Sequence, residues 1–194
     1  MLFYDIDEYI HISNYTNIKQ FLGKKIFEKC QKIYLNWVIH TDNNLIYYDN
    51  RTLHERFPEV ELVDKRKKNF VRRVKIIVKG HHKNNNLTWR QLASIKYKGC
   101  NGYGKKAKLV NKTYMKGCDF KNYYIDHYYS KSVEEFIEKV NKGDGFFEKN
   151  INYKKKRIRR YFQYNQITLK KIKFIEKKTG INLNVYKKKL KNIY

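Results

Sequence analysis

The segment KIYLNWVIH, residues 32–40, is a short apolar run rich in β-branched and aromatic side chains. It is too short for a core helix and fits a strand buried on both faces. A strand covered on both faces needs helices packed over its sheet, and this selects an α/β arrangement. Two further runs suit the same sheet: FVRRVKIIVKG (70–80), ended by Gly80, and NYYIDHYY (122–129). The clearest helix is SKSVEEFIEKVNKG (130–143), where Ser132 and Glu135 have capping-box spacing. Within it Val133, Phe136, Ile137 and Val140 follow i, i+3, i+4, i+7, and Gly143 suits the position after the last turn.

Around these elements the pattern is weaker. NYTNIKQFLGKKIFEKC is helical in part, with Ile18, Phe21 and Leu22 on one face and Asn17 or Thr16 as N-cap. TDNN (41–44) reads as a turn, and LIYYDNRTLHERF leads to Pro58. Residues 2–4 read as the end of a strand, with Asp5, Asp7 and Glu8 at its carboxyl edge. Beyond residue 150 the composition becomes basic. TLKKIKFIEKKTG fits a helix with Thr168 as cap, Leu169, Ile172 and Ile175 on one side, and Gly180 as stop. The expected organisation is therefore an α/β domain over 1–150 and a basic helical tail over 151–194.

Charge and composition limit the function classes. Hydrophobic residues make up 41% and aromatics 16% of the 194 residues, which excludes a disordered polymer. No apolar run approaches the roughly 18 residues that span a bilayer, and the first residues lack the basic-then-apolar pattern of a signal peptide. The expected location is cytoplasmic. The net charge is +26, of which +14 falls in residues 151–194, where Glu176 is the only acid. Such a balance attracts polyanions, with nucleic acid a candidate partner for the tail. The composition is also that of A/T-rich codons, so a solvated Lys-rich helix face accounts for the same tail. Cys30, Cys100 and Cys118 are widely spaced and odd in number, and read as reduced thiols.

Several residues could carry chemistry. Two carboxylates two residues apart at a strand end can hold a hard divalent cation, which in turn can bridge nucleotide phosphates. The same Asp-rich pattern also serves turns and helix caps. His127 ends a strand-like run just before the capped helix, where a crevice at a strand's carboxyl end would lie. GCNGYGKK (99–106) lacks the phosphate-loop pattern and reads mainly as a flexible basic loop. His81, His82, Cys100 and Cys118 match no zinc-ligand spacing.

Taken in order, YDIDEYI, LNWVIHTDNN, LHERF, KIIVKG and IDHYYSKSVEEFIEKVNKG resemble glycosyltransferases of the GT-A fold, closest to family 92 and its family-2-like relatives. Those proteins carry a strand ending in Asp-x-Asp-Glu-Phe, a Trp-containing strand, a Glu-Arg-Phe segment, and His-Tyr-x-x-Lys-Ser opening a helix that ends in Lys-x-x-x-Gly. The match covers residues 2 to about 145, with Tyr9 in place of the usual Phe. The resemblance implies a partial GT-A-like (Rossmann-type) sheet with flanking helices. It also implies a nucleotide-sugar donor, a glycan or protein acceptor, and Mn²⁺ or Mg²⁺.

Residue by residue, the resemblance makes Asp5 and Asp7 the metal-binding pair, with Asp7 the direct ligand, and His127 the residue completing the metal or diphosphate site. Trp37 would lie near the acceptor sugar or serve as core, Arg56 would contact phosphate, and Glu8 would orient the ligands. Glu55 and Asp42 are the candidates for the base that deprotonates the acceptor. In the family a nucleotide-binding half precedes the Asp-x-Asp strand, whereas here four residues precede Asp5. The resemblance then implies either an enzyme whose first half is a separate chain or a truncated, inactive remnant. A basic polyanion-binding protein without catalysis is the alternative.

Overall fold

The computed structural model describes residues 5–61, 71–79, 98–143 and 150–192. The strand end expected at 2–4, Gly80, the HHKNNN loop and the His81–His82 pair lie outside the described residues. Seven strands form one mixed sheet: β1 (Glu8–Ile12), β2 (Lys32–Ile39), β3 (Val71–Val78), β4 (Gly99–Asn101), β5 (Lys108–Asn111), β6 (Tyr114–Lys116) and β7 (Tyr123–His127). Their order is β1-β7-β2-β3-β6-β5, with β4 pairing β2. β1 runs antiparallel to β7, β2 to β3, β3 to β6, and β5 to β6. β4 runs parallel to β2. The fold is thus α/β with a mixed sheet.

The chain divides into two compact units, residues 1–38 with 62–127, and residues 39–61 with 128–194. The division differs from the boundary expected near residue 150. The basic tail belongs with 39–61 and 128–143, because Lys171 and Asn165 bond to Asp42.

In the first unit the core gathers Phe21, Phe27, Cys30, Ile33, Leu35, Ile77, Cys100 and Ile125. Helix α1 (Ile18–Leu22) supplies Phe21, and Asn17 caps it by accepting from the Gln20 amide at 3.0 Å. Cys30 and Cys100 form a disulfide across 70 residues of sequence, which corrects the expectation of reduced thiols for this pair. The parallel β2–β4 register sets Ile33 opposite Cys100 and so brings Cys100 to the end of the Cys30 turn. Cys118 stays free.

The glycine-rich segment 99–106 is a packed turn. A β-carbon on Gly99 would lie 2.2 Å from the Tyr34 ring, and one on Gly102 would lie 2.4 Å from Cβ of Tyr123. Asn101 holds the turn by accepting from the amides of Tyr103 and Lys105, at 3.0 and 3.1 Å. The glycines serve close approach to tyrosines, and the loop lacks a phosphate cradle's form.

The second unit is helical: α2 (Leu53–Arg56), α3 (Val133–Lys142), α4 (Ile151–Tyr164), α5 (Leu169–Thr179) and α6 (Asn184–Lys191). Both α2 and α3 open with reciprocal capping boxes, Thr52 with Glu55 and Ser132 with Glu135. Helix α3 buries Val133, Phe136, Ile137 and Val140, the stripe its sequence spells out. Each is worth about 1.5–3 kcal/mol of burial. Thr168 caps α5 and Gly180 ends it with a left-handed residue at φ 68°. Ile172 and Ile175 are buried, while Leu169 stays half exposed at 50%. No helix among the described residues is long and apolar enough to cross a membrane.

Candidate functional site

The expected strand end turns out to be a strand beginning. Asp5 and Asp7 sit in the turn that enters β1 at Glu8, closed by the Glu8 amide donating to the Asp5 carbonyl at 3.0 Å. The antiparallel register then sets Glu8 opposite His127, across 119 residues of sequence. Asp7 and His127 are both buried, with 4% exposure each. Their Oδ1 and Nε2 atoms lie 3.8 Å apart, too far for a hydrogen bond.

From this corner a line of contacts crosses the sheet within the first unit. The Trp37 ring on β2 meets the His127 ring edge-on, with centroids 4.4 Å apart. The Arg73 guanidinium on β3 stands 5.5 Å from the Trp37 ring, and its Nε donates to the Tyr114 hydroxyl on β6 at 3.0 Å. Lys75, two residues along β3, places Nζ 2.8 Å from Glu8 Oε2 and 3.5 Å from Asp5 Oδ2. Burial raises the Glu8 pKa above the usual carboxylate range, although the bond from Lys75 opposes it. Among the described residues, the buried Glu8 Oε1 and Trp37 Nε1 have no hydrogen-bond partner.

This geometry sorts the expected residues. Asp7, His127 and Trp37 come together, with Glu8 beside them. Asp5, whose side chain is 71% exposed, turns to Lys75 instead. Among the described residues no group of three His, Cys, Asp or Glu side chains is arranged to hold a metal. An ion here would rest on the Asp7–His127 pair and complete its ligands from outside the protein. The donor set, a carboxylate and an imidazole beside a buried unpartnered carboxylate oxygen, fits Mn²⁺ better than Mg²⁺.

The other three residues belong to the second unit and are engaged there. Asp42 is buried, and both its oxygens are taken. Lys171 Nζ reaches them at 2.9 and 2.7 Å, the Tyr161 hydroxyl donates to Oδ2, and the Asn44 amide donates to Oδ1 at 3.0 Å. Such a carboxylate holds helices together and is closed to a substrate proton. Glu55 is exposed and accepts from the Thr52 amide and hydroxyl in the α2 cap, at 2.9 and 2.7 Å. Arg56 is buried and forks onto Glu135, at 2.8 and 3.3 Å, so its charge is spent within the unit.

Lys75, Arg73 and Tyr114 were not among the expected site residues. The signal for the first two was present in VRRVK: in a strand, positions 73 and 75 share a face. Compared with family models, curated proteins and solved structures, the chain matches none.

Proposed function

We propose that the first unit carries the metal and diphosphate corner of a nucleotide-sugar-dependent glycosyltransferase of GT-A type. The observation that carries this reading is the meeting of Asp7 and His127 at 3.8 Å. These are the two positions that the resemblance singles out, and they are brought together from distant segments. The cross-sheet line to Trp37, Arg73 and Lys75 supports it. A sugar diphosphate needs a carboxylate–imidazole pair for a cation, fixed cations for its oxygens, and a ring for a sugar face, and all three occur together here.

A bound Mn²⁺ or Mg²⁺ would neutralise charge developing on the diphosphate leaving group. Asp7 and His127 would hold the ion and Glu8 would orient them. Arg73 and Lys75 would bind phosphate oxygens, because both are cations on the same face of β3 and Arg73 is without a carboxylate partner among the described residues. The indole of Trp37 would offer a face and an unpaired N–H to a sugar hydroxyl. Of the two carboxylates considered as acceptor base, Glu55 is the one that solvent reaches.

The test is calorimetric titration with UDP and GDP in the presence of Mn²⁺, followed by EDTA. Metal-dependent binding should appear and should weaken at least about tenfold in Asp7→Asn and in His127→Ala, the loss of one charge-assisted contact. Circular dichroism would confirm that both variants fold. Binding that ignores EDTA, or that survives both substitutions, would sink the proposal.

A further inference from the structure

The second unit contains a concentration of positive charge that no contact within it explains. Tyr129, 5% exposed, forms its centre. The Arg157 guanidinium of α4 lies 5.1 Å from the Tyr129 ring centroid and 5.9 Å from that of Tyr153. Lys139 Nζ of α3 lies 5.7 Å from the same Tyr129 ring. Burial raises the Tyr129 pKa, and the charges of Arg157 and Arg160 both oppose it. The two arginines thus converge on one hydroxyl. They are three residues apart on α4 and share a helix face.

Among the described residues neither guanidinium is paired with a carboxylate, and the buried Nε of Arg157 has no hydrogen-bond partner. Arg56 in the same unit shows the ordinary solution, a fork onto Glu135. Rings under Arg157 hold its plane by cation–π attraction but leave its in-plane donors open. Two like charges held together with open donors call for a bridging oxyanion, and the planar fork of arginine matches phosphate oxygens.

We propose that Arg157 and Arg160, gathered on Tyr129, form a subsite for a phosphate group. The group can come from a free phosphate compound or from the phosphodiester of a single-stranded nucleic acid. This goes beyond the donor-site reading and needs neither metal nor Asp7.

The experiment titrates the full chain, in EDTA, with pyrophosphate and separately with a fluorescent twelve-nucleotide oligothymidylate. Three double variants are compared: Arg157→Ala/Arg160→Ala, Arg157→Lys/Arg160→Lys, and the exposed control Lys155→Ala/Lys156→Ala. The alanine pair at 157 and 160 should weaken both ligands at least about tenfold, and the control less than about threefold. With the oligonucleotide, the wild-type slope of log affinity against log salt should exceed that of the arginine-to-alanine variant by about 1.4, two phosphates on a single strand. A preference for the oligonucleotide assigns the phosphodiester source, and equal affinity assigns the free one. If the alanine pair fails to fold, the lysine pair decides: charge is kept and the fork lost, so pyrophosphate affinity should fall at least about threefold. No binding by the wild type, equal losses in the arginine and control variants, or an unaffected lysine pair would overturn the subsite.

Discussion

Replacing Asp42 with Asn separates two roles that one carboxylate can have. Asp42 and Lys171 have side-chain exposures of 2% and 1%, with Nζ 2.7 Å from Oδ2. Burial alone lowers the Lys171 pKa, and the Asp42 charge opposes that shift. At an effective dielectric near 20 the pair attracts by about 6 kcal/mol, most of it offset by the cost of drying two charges. Removing one partner leaves the other charge buried, and this costs about 3–5 kcal/mol. Asp42→Asn keeps the shape, so the loss should be mainly electrostatic.

Urea unfolding followed by circular dichroism reads this directly. With a slope of about 1–3 kcal/mol per molar, the midpoint for the helical unit should drop by roughly 2 M. The double variant Asp42→Asn/Lys171→Met removes both charges and should recover at least about half of the loss. A single variant within about 1 kcal/mol of wild type would refute the buried-pair reasoning. A double variant no better than the single would do so equally. Asp42→Asn that folds normally yet abolishes sugar transfer would restore Asp42 as the acceptor base.

Two further outcomes follow from the described contacts. The denatured, unreduced protein should show one reactive thiol, Cys118, and three after reduction. Opening the Cys30–Cys100 link, which spans 70 residues, should destabilise the first unit by about 4 kcal/mol on the loop-entropy relation; three thiols before reduction would disprove the link. For Glu135, burial pushes its pKa up, but the bonds from Arg56 and Ser132 outweigh this and hold it below the usual carboxylate value. Its contribution is therefore present above the unfolded pKa near 4.5 and is lost as pH falls through the lower folded value. Glu135→Gln should unfold more easily at neutral pH and lose part of the wild-type dependence below pH 4.5, as stability measured between pH 3 and 7 would show.

What the sequence reveals and what it hides divide along chain distance. Helix α3, its cap and its buried stripe are local, and SVEEFIEKV spells them out completely. The turn at 41–44 is local too, with Asn43 and Asn44 both at positive φ. The error at Asp5–Glu8 has a physical source. An acidic run beside apolar residues fits either end of a strand, and only the pairing of Glu8 with His127 decides which. Asp42 looks like an exposed turn residue until Lys171, 129 residues away, is placed against it. The Cys30–Cys100 link depends likewise on a parallel pairing that no spacing rule encodes. Arg56 reads as a free cation because its partner Glu135 has an obvious second duty in the α3 cap.

The pairing of β1 with β7 has a consequence for biosynthesis. Residues 8 and 127 must meet before the Asp7–His127 corner exists. At about 5–20 residues per second, a ribosome needs roughly 6–24 s to travel between them. Throughout that interval β1 has no β7 to pair with, and its backbone donors and acceptors stay open to other strands. Once β7 emerges, the two strands still have to close a loop of more than a hundred residues, a slow class of contact. The corner proposed to do the chemistry is therefore among the last parts of its unit to be built. Holding the nascent β1 apart from foreign strands is a task for the cell's chaperones before it is a task for the fold.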